Sequence, residues 1–355
     1  MGVLVVTEVL GVQRRRTTIW LVALTAALVV TGLIAVGTGA VGISPVTVAR
    51  IIGHQLLHVG DITWTPPEEA IVWQVRLPRV LLGILVGAGL AVCGVALQAM
   101  VRNVLADPYL LGINSGASSG AAAAILFGAG AGFGQYALST SAFAGALAAS
   151  LLVFLIARSG GRVTSIRLLL AGVAVGYALY ATTSFLIFAS GSAEGARSVM
   201  FWLLGSLGLA RWDALLAVAA VVIGGTIAYL TVIGRSLDAL AVGDETAHTL
   251  GIAPDRLRLR LLVVVSLCVG VLVSASGSIG FVGLVVPHLA RRIVGAPHVR
   301  VVPVAALLGA ILLVGADVIA RVLLAPQEIP IGIITALIGT PFLLVLIKRL
   351  HGVPQ

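Results

Sequence analysis

The chain has 355 residues, 59% of them hydrophobic and only 10% charged, with a mean hydropathy of +1.15. Soluble domains run near half apolar and about a quarter charged, so a water-soluble fold is excluded, and the length admits about ten bilayer passes of about 20 residues each. The formal charge of +9 is read as a consequence of membrane topology, and no nucleic-acid partner is expected.

Arg14, Arg15 and Arg16 precede an apolar run from Ile19 to Val41, too long for a signal-peptide core of about 7 to 15 residues and better read as a retained first span. Residues 1–18 become an N-terminal segment. Further apolar runs fall at 80–101, 110–128, 136–157, 168–189, 212–233, 259–290, 301–324 and 331–347. The run 259–290 is anomalous, because as one helix at about 1.5 Å per residue it would be roughly 48 Å long, against a hydrocarbon core near 30 Å. It is interrupted by Ser274-Ala-Ser-Gly-Ser-Ile-Gly280, and arginines flank it on both sides: Arg256, Arg258 and Arg260 before, Arg291, Arg292 and Arg300 after. A span and a shorter return, turning near Ser276 and Gly277, satisfy both facts. The expected architecture is therefore an all-α polytopic membrane protein with about ten transmembrane helices in one domain, 19–347, and a tail at 348–355. Both termini and sixteen of the 22 basic residues, Arg162 among them, fall on the cytoplasmic side, while Arg50, Arg76, Arg79, Arg197, Arg211 and Arg321 fall outside.

Glycines recur four residues apart at Gly83 and Gly87, at Gly112, Gly116 and Gly120, and at Gly172 and Gly176, which predicts close helix packing where lipid removes any hydrophobic drive to associate. Cys93 and Cys268 lie in apolar runs and point to packing, with no metal site expected. The loop GRSLDALAVGDETAHTLGIAPDRL at 234–257 predicts two short helices, capped by Ser236 and Asp244 and stopped by Gly243 and Gly251, forming a knob for a separate motor protein.

Energy coupling has few candidates within the chain. The sole lysine, Lys348, has no phosphate-binding loop before it, so the chain is not read as an ATPase or other enzyme. Asp317 is the one acid well inside a span, four residues before Arg321, where an i,i+4 ion pair is the plain reading and an ion-coupled secondary transporter the rival one. His288 reads as a buried, hydrogen-bonded histidine. Arg76 and Arg79 bracket Leu77-Pro78 at the outer level and suit carboxylates of a partner.

Taken together, Arg76-Leu-Pro-Arg79, Gly94-Val-Ala-Leu-Gln98, Arg102-Asn-Val-Leu-Ala-Asp-Pro108, Leu111-Gly-Ile-Asn-Ser-Gly-Ala117, Leu250-Gly-Ile252, Ser276-Gly-Ser-Ile-Gly-Phe-Val-Gly-Leu-Val-Val-Pro-His288 and Gly339-Thr-Pro-Phe342 resemble the FecCD-type (BtuC-like) permeases of ABC importers for iron-siderophores, haem and cobalamin. The resemblance runs from about residue 15 to 350. It implies a ten-helix permease in the cytoplasmic (inner) membrane, paired with a second copy or paralogue. Two ATPase subunits would bind ATP and Mg beneath it, this chain holding no cofactor, and a substrate-binding protein would dock outside. By the same resemblance Arg76, Arg79 and Arg321 would meet that protein, and Asp244, Glu245, Thr246, Ala247, Leu250 and Gly251 would couple to the ATPase. Asn103, Leu105, Thr164 and Ser165 would help close the inner gate, and the cargo would be a ferric-siderophore-type chelate. Val104 stands where the family has proline, which should loosen that turn.

Overall fold

The computed structural model describes residues 2–39, 41–58, 61–158 and 163–351. Arg162, Met1 and residues 352–355 of the expected tail lie outside the described residues. Among the described residues the secondary structure is helical throughout, as a bilayer demands of a chain that must satisfy its own backbone groups.

Helix α1 (Gly2–Gly37) is followed by a short α2 (Pro45–Leu57) capped by Ser44, whose side chain accepts from Thr47 N. Helix α1 thus reaches back into the segment 1–18 set apart in the sequence. Helix α3 (Pro66–Ala70) runs through a π-turn at Ile71–Arg76 into α4 (Leu77–Val101), 36 continuous residues, so this pass starts well before the expected residue 80. The π-turn has a cause in Pro78. Proline lacks an N–H and its ring crowds the carbonyl four residues back, and the wider i→i−5 bond from Leu77 N to Val72 O absorbs the misfit.

Helix α4 is the axle of the molecule. Helices α9 (Ala214–Val232), α12 (Pro254–Ser276), α13 (Val282–Val294) and α14 (His298–Val322) all pack on it. Its sequence is apolar on every face, with small residues wherever a neighbour's backbone passes. A Cβ on Gly87 would lie 2.2 Å from Gly309 O, and one on Gly94 would lie 2.0 Å from Gly283 O. Helices α5 (Ile113–Phe127), α6 (Ala137–Arg158) and α7 (Ser165–Ser190) form a second group, closed in the same way where a Cβ on Gly116 would meet Gly145 O at 2.3 Å. Helix α8 (Ala193–Leu203) caps this group at one end, α10 (Gly234–Val242) and α11 (Asp244–Thr249) project at the other, and α15 (Ile331–His351) closes the chain.

The direction of each pass follows from its contacts. On α4, Gly89 faces Leu272 and Met100 faces Arg258, so α12 is antiparallel to it. Gly94 faces Gly283, and Gln98 meets Arg291, so α13 runs back alongside α4. The anomalous run is therefore a hairpin, broken after Ser276 by Gly277 at φ 68°, a backbone region that favours glycine. Seven described helices are long and apolar enough to cross a membrane, and the short α5 and α13 together with α15 complete ten passes. Gln13 of α1 bonds Arg300 at the start of α14, and Gly339 and Phe342 of α15 run down α13 past Phe281 and His288. The first and last helices therefore point their outer tips to the end that carries α10 and α11, hereafter the knob end.

One element escaped the sequence reading. After α4 the chain turns back as irregular backbone to a 3₁₀ turn at Pro108–Leu111, and only then starts α5, which is 15 residues long. Helix α13 has 13 residues, so at about 1.5 Å per residue neither helix alone covers the roughly 30 Å core. The two breaks meet. Tyr109 Oη donates to Ile279 O at 2.9 Å and accepts from Ile279 N at 2.8 Å. Gln98 Nε2 donates to Ala106 O at 3.3 Å and to Gly283 O at 3.4 Å, and Arg291 donates to the Gln98 carbonyl oxygen. Irregular backbone at membrane depth requires such partners inside the protein.

Candidate functional site

Two polar clusters stand at opposite ends of the apolar bundle. At the end away from the knob, Asp317 on α14 is 3% exposed and accepts from two arginines: Arg79 through Nε and Nη2 at 3.0 and 2.9 Å to Oδ1, and Arg321 through Nε at 3.0 Å to Oδ2. Arg79 also grips Glu328 with two bonds of 3.0 and 2.9 Å, and the Glu328 side chain is half exposed. A charged pair this dry is held by charge-assisted bonds to both carboxylate oxygens. The plain reading of Asp317 and Arg321 as an i,i+4 pair therefore describes the structure, with Arg79 and Glu328 added.

The three outer arginines are not equivalent. Arg76, 7% exposed, donates to Val36 O, Gly37 O and Val41 O, and Arg321, 8% exposed, donates to Thr38 O and Ala35 O. Both guanidiniums tie down the carbonyls left over where α1 ends, so Arg76 and Arg321, expected with Arg79 to meet a partner, are buried and engaged within the chain. Arg79 faces a cavity of about 940 Å³, lined among others by Glu194, Arg197, Asp213, Asp317 and Glu328.

At the knob end, α9 passes almost directly into α10. Ser236 sits inside α10 and does not cap it, because the helix already starts at Gly234 from Ile233. Gly243 separates α10 from α11, and Gly251 at φ 77° closes α11, as expected. Asp244 does not cap α11 either, since its carboxylate is taken by Arg258. Arg258 Nη1 and Nη2 reach Asp244 Oδ2 and Oδ1 at 3.0 and 2.6 Å, Nη2 also reaches Ser165 Oγ at 3.2 Å, and Nε reaches Met100 O at 3.4 Å. Ser165 Oγ in turn donates to Met100 O at 3.0 Å. Arg258 is wholly buried. On α10, Asp238 accepts from His298 N at 2.9 Å and lies 2.5 Å from His298 Nδ1, anchoring the knob to the start of α14. Outward, the knob shows Val242, Glu245 and Leu250 to its surroundings, while Ala247 is buried and Thr246 half buried.

Of the gate residues, Thr164 caps α7 through Arg167 N, Ser165 belongs to the Arg258 cluster, and Asn103 and Leu105 lie in the loop after α4. That loop is not loosened by Val104. The Asn103 carboxamide oxygen accepts from Leu105 N at 2.9 Å and Asn103 O accepts from Ala106 N at 3.1 Å, closing the turn that a proline would otherwise preset. His288 stacks edge-on against Phe342, and its Nε2 has no hydrogen-bond partner among the described residues, contrary to the hydrogen-bonded histidine expected. No cluster of three metal-ligating side chains occurs among the described residues. Helix α7 leaves Tyr177, Tyr180, Phe185 and Phe188 exposed, a broad apolar face on one side of the bundle.

The Arg258 bond, and secondarily the nearby Arg102 charge, hold the Asp244 carboxyl below its ordinary range. A depressed folded value means that the pair's stabilisation is complete above the unfolded value near 3.9 and is lost as pH falls through the lower folded one. The substitution Asp244→Asn is expected to lower the thermal midpoint of the detergent-purified protein throughout about pH 5 to 8, with the deficit shrinking only below about pH 4. A deficit that shrank near neutral pH would contradict the assignment.

Comparison with known proteins places these clusters in context. Residues 10–349 match the FecCD transport family. The cobalamin import system permease protein BtuC of Halobacterium salinarum is 44% identical over 295 residues, covering 82% of this chain and 78% of that protein. The Fe(3+)-citrate import system permease protein YfmD of Bacillus subtilis is 40% identical over 282 residues, covering 79% and 82%. A solved structure described as a metal-chelate type ABC transporter in an inward-facing conformation superimposes with a TM-score of 0.80 at 35% identity, covering 93% of this chain and 98% of that one.

Proposed function

Since the chain belongs to the FecCD transport family and is an ABC importer permease, we propose that it passes a ferric-siderophore-type metal chelate across the cytoplasmic membrane. The observation that carries this reading is the α10–α11 knob, pinned by Asp238 and Asp244 to α14 and α12 yet presenting exposed Val242 and Leu250. A rigid knob with an apolar tip suits a cleft in a separate ATPase, which would bind ATP and Mg. The excess of arginine at the same end supports a cytoplasmic position for the knob and both termini.

At the opposite end, Arg79 is the residue proposed to meet a carboxylate of the binding protein. Its Asp317 bonds are buried, but Glu328 is exposed enough to be exchanged for an incoming acid, with Arg76 and Arg321 holding the site from behind. The exposed apolar face of α7 would pair with a second permease and leave a neutral path for a cargo whose metal is already wrapped. Asn103 and Leu105, with Thr164 and Ser165, would narrow that path at the cytoplasmic end. Ion-coupled transport through Asp317 fits less well, because both carboxylate oxygens are already committed to arginines.

The test is uptake into proteoliposomes containing the permease, its ATPase and its binding protein, offered ferric citrate, ferric hydroxamate, hemin and cyanocobalamin in turn. ATP-dependent accumulation of a ferric chelate is the expected result. Accumulation without ATP would overturn the permease reading, and accumulation of cyanocobalamin alone would favour the second reading, a cobalamin importer, which the 44% identical relative supports.

A further inference from the structure

Two sets of residues that the sequence assigned to different tasks, the ATPase-facing knob and the inner closure, share one side chain. Arg258 binds Asp244 at the start of α11, the Met100 carbonyl at the end of α4 and Ser165 in the first turn of α7. We infer that Arg258 is the positioning residue that transmits displacement of the knob to the inner ends of α4 and α7. The inference rests on the permease reading above and adds a part to it.

The physical case is one of connectivity and dryness. Met100 O is one of the carbonyls a helix leaves unpaired at its C-terminal end, and Ser165 lies in the first turn of α7, three passes later. Without Arg258 the polar link between these two ends would be the Ser165 hydroxyl, and the knob's Asp244 would keep the more distant charge of Arg102 at the end of α4. With no exposed surface, the guanidinium cannot trade a protein partner for water as the knob moves. It either carries Asp244, Met100 and Ser165 together or switches partners as a unit, and a planar five-donor fork suits such a joint where a lysine does not. Neighbouring Arg256 and Arg260 on the same helix are outside this cluster: both are exposed.

A residue that only props up the fold and one that couples two movements differ in what their loss changes. The measurement uses the assembled complex in proteoliposomes, with whichever of ferric citrate, ferric hydroxamate, hemin or cyanocobalamin the unsubstituted protein accumulates. Cargo transported per ATP hydrolysed is read alongside the amount of ATPase that co-purifies. Arg258→Gln is expected to co-purify with the ATPase and still hydrolyse ATP, while transport per ATP falls at least about fivefold, in the range of ordinary coupling energies. Arg258→Lys should fall between the two, since an ammonium keeps the charge without the fork. Should Arg258→Gln fail to assemble, Asp244→Asn and Arg258→Lys carry the same ratio. An unchanged ratio in the assembling variants would overturn the inference, as would hydrolysis and transport falling in step. Absence of any ATP-driven uptake by the unsubstituted complex would instead refute the permease reading, so the two failures are separable.

Discussion

Alanine in place of Gly94 is expected to leave little folded protein to extract from the membrane. The new Cβ would sit 2.0 Å from Gly283 O and 2.7 Å from both Gly283 C and Cα, and backbone cannot rotate away as a side chain can. Relief requires α13 to move off α4, and Gly283 is also hemmed in by Pro108 and the Leu90 carbonyl. Overpacking a tight core costs typically about 1 to 3 kcal/mol and more when the obstacle is main chain. A loss at the top of that range, on a chain of ordinary marginal stability, removes most of the folded population. The check is the monodisperse yield and thermal midpoint in detergent beside Gly315→Ala. Gly315 has nothing within 4 Å of its would-be Cβ, and alanine is the better helix former there. Equal yields for the two variants would show that the α4–α13 contact is looser than described.

The second large effect is expected at Asp317. Its replacement by alanine leaves Arg79 and Arg321 facing each other without their common counter-ion, Arg321 only 8% exposed. Breaking one side of a buried ion cluster costs about 3 to 5 kcal/mol, most of it the penalty of the orphaned charge. Arg79 keeps Glu328, so the cost should fall chiefly on Arg321 and on the end of α1 that it ties down through Ala35 O and Thr38 O. The thermal midpoint should drop well below that of Glu328→Gln, whose carboxylate is exposed and whose pairing contributes little. A second variant, Asp317→Asn, discriminates between transport mechanisms. A proton-coupled carrier would lose transport at full stability in Asp317→Asn, whereas here the fold weakens and uptake by the remaining folded molecules stays ATP-dependent.

The passes themselves were legible because a bilayer imposes a length, and the hairpin because 259–290 was too long for one pass and had arginines on both flanks. Glycines at Gly87 and Gly116 showed that helices approach closely but not which helices, since a four-residue spacing has no partner written into it. Helix α5 was read from 110 but starts at Ile113, because Gly112 lies in a run that hydropathy alone continues across. Its helix-stopping chemistry was outvoted by apolar length. Arg258 was missed for a different reason. Counted with Arg256 and Arg260 it was one more flanking charge, yet at helical spacing it shares the face of Leu261, Leu262 and Val265, all buried. Reading the charge run by face and not by number would have singled it out. The burial of Arg76 and Arg321 was not read, because sequence gives the level of a residue in the membrane more readily than its azimuth. Asp244 was read as a helix cap because a free carboxylate at a helix start usually is one, and only the tertiary partner reassigns it.

The Tyr109–Ile279 clasp joins positions 170 residues apart, and this constrains how the protein is made. When the ribosome has delivered the first five passes, the Tyr109 hydroxyl ahead of α5 still lacks the Ile279 backbone that it holds, and lipid offers it no substitute. That half of the molecule waits, incompletely closed, until α12 and α13 arrive to complete it, the kind of late long-range closure that slows folding and invites quality control. A polypeptide ending short of residue 279 lacks the other jaw of the clasp, so maturation is all-or-none across most of the chain's length.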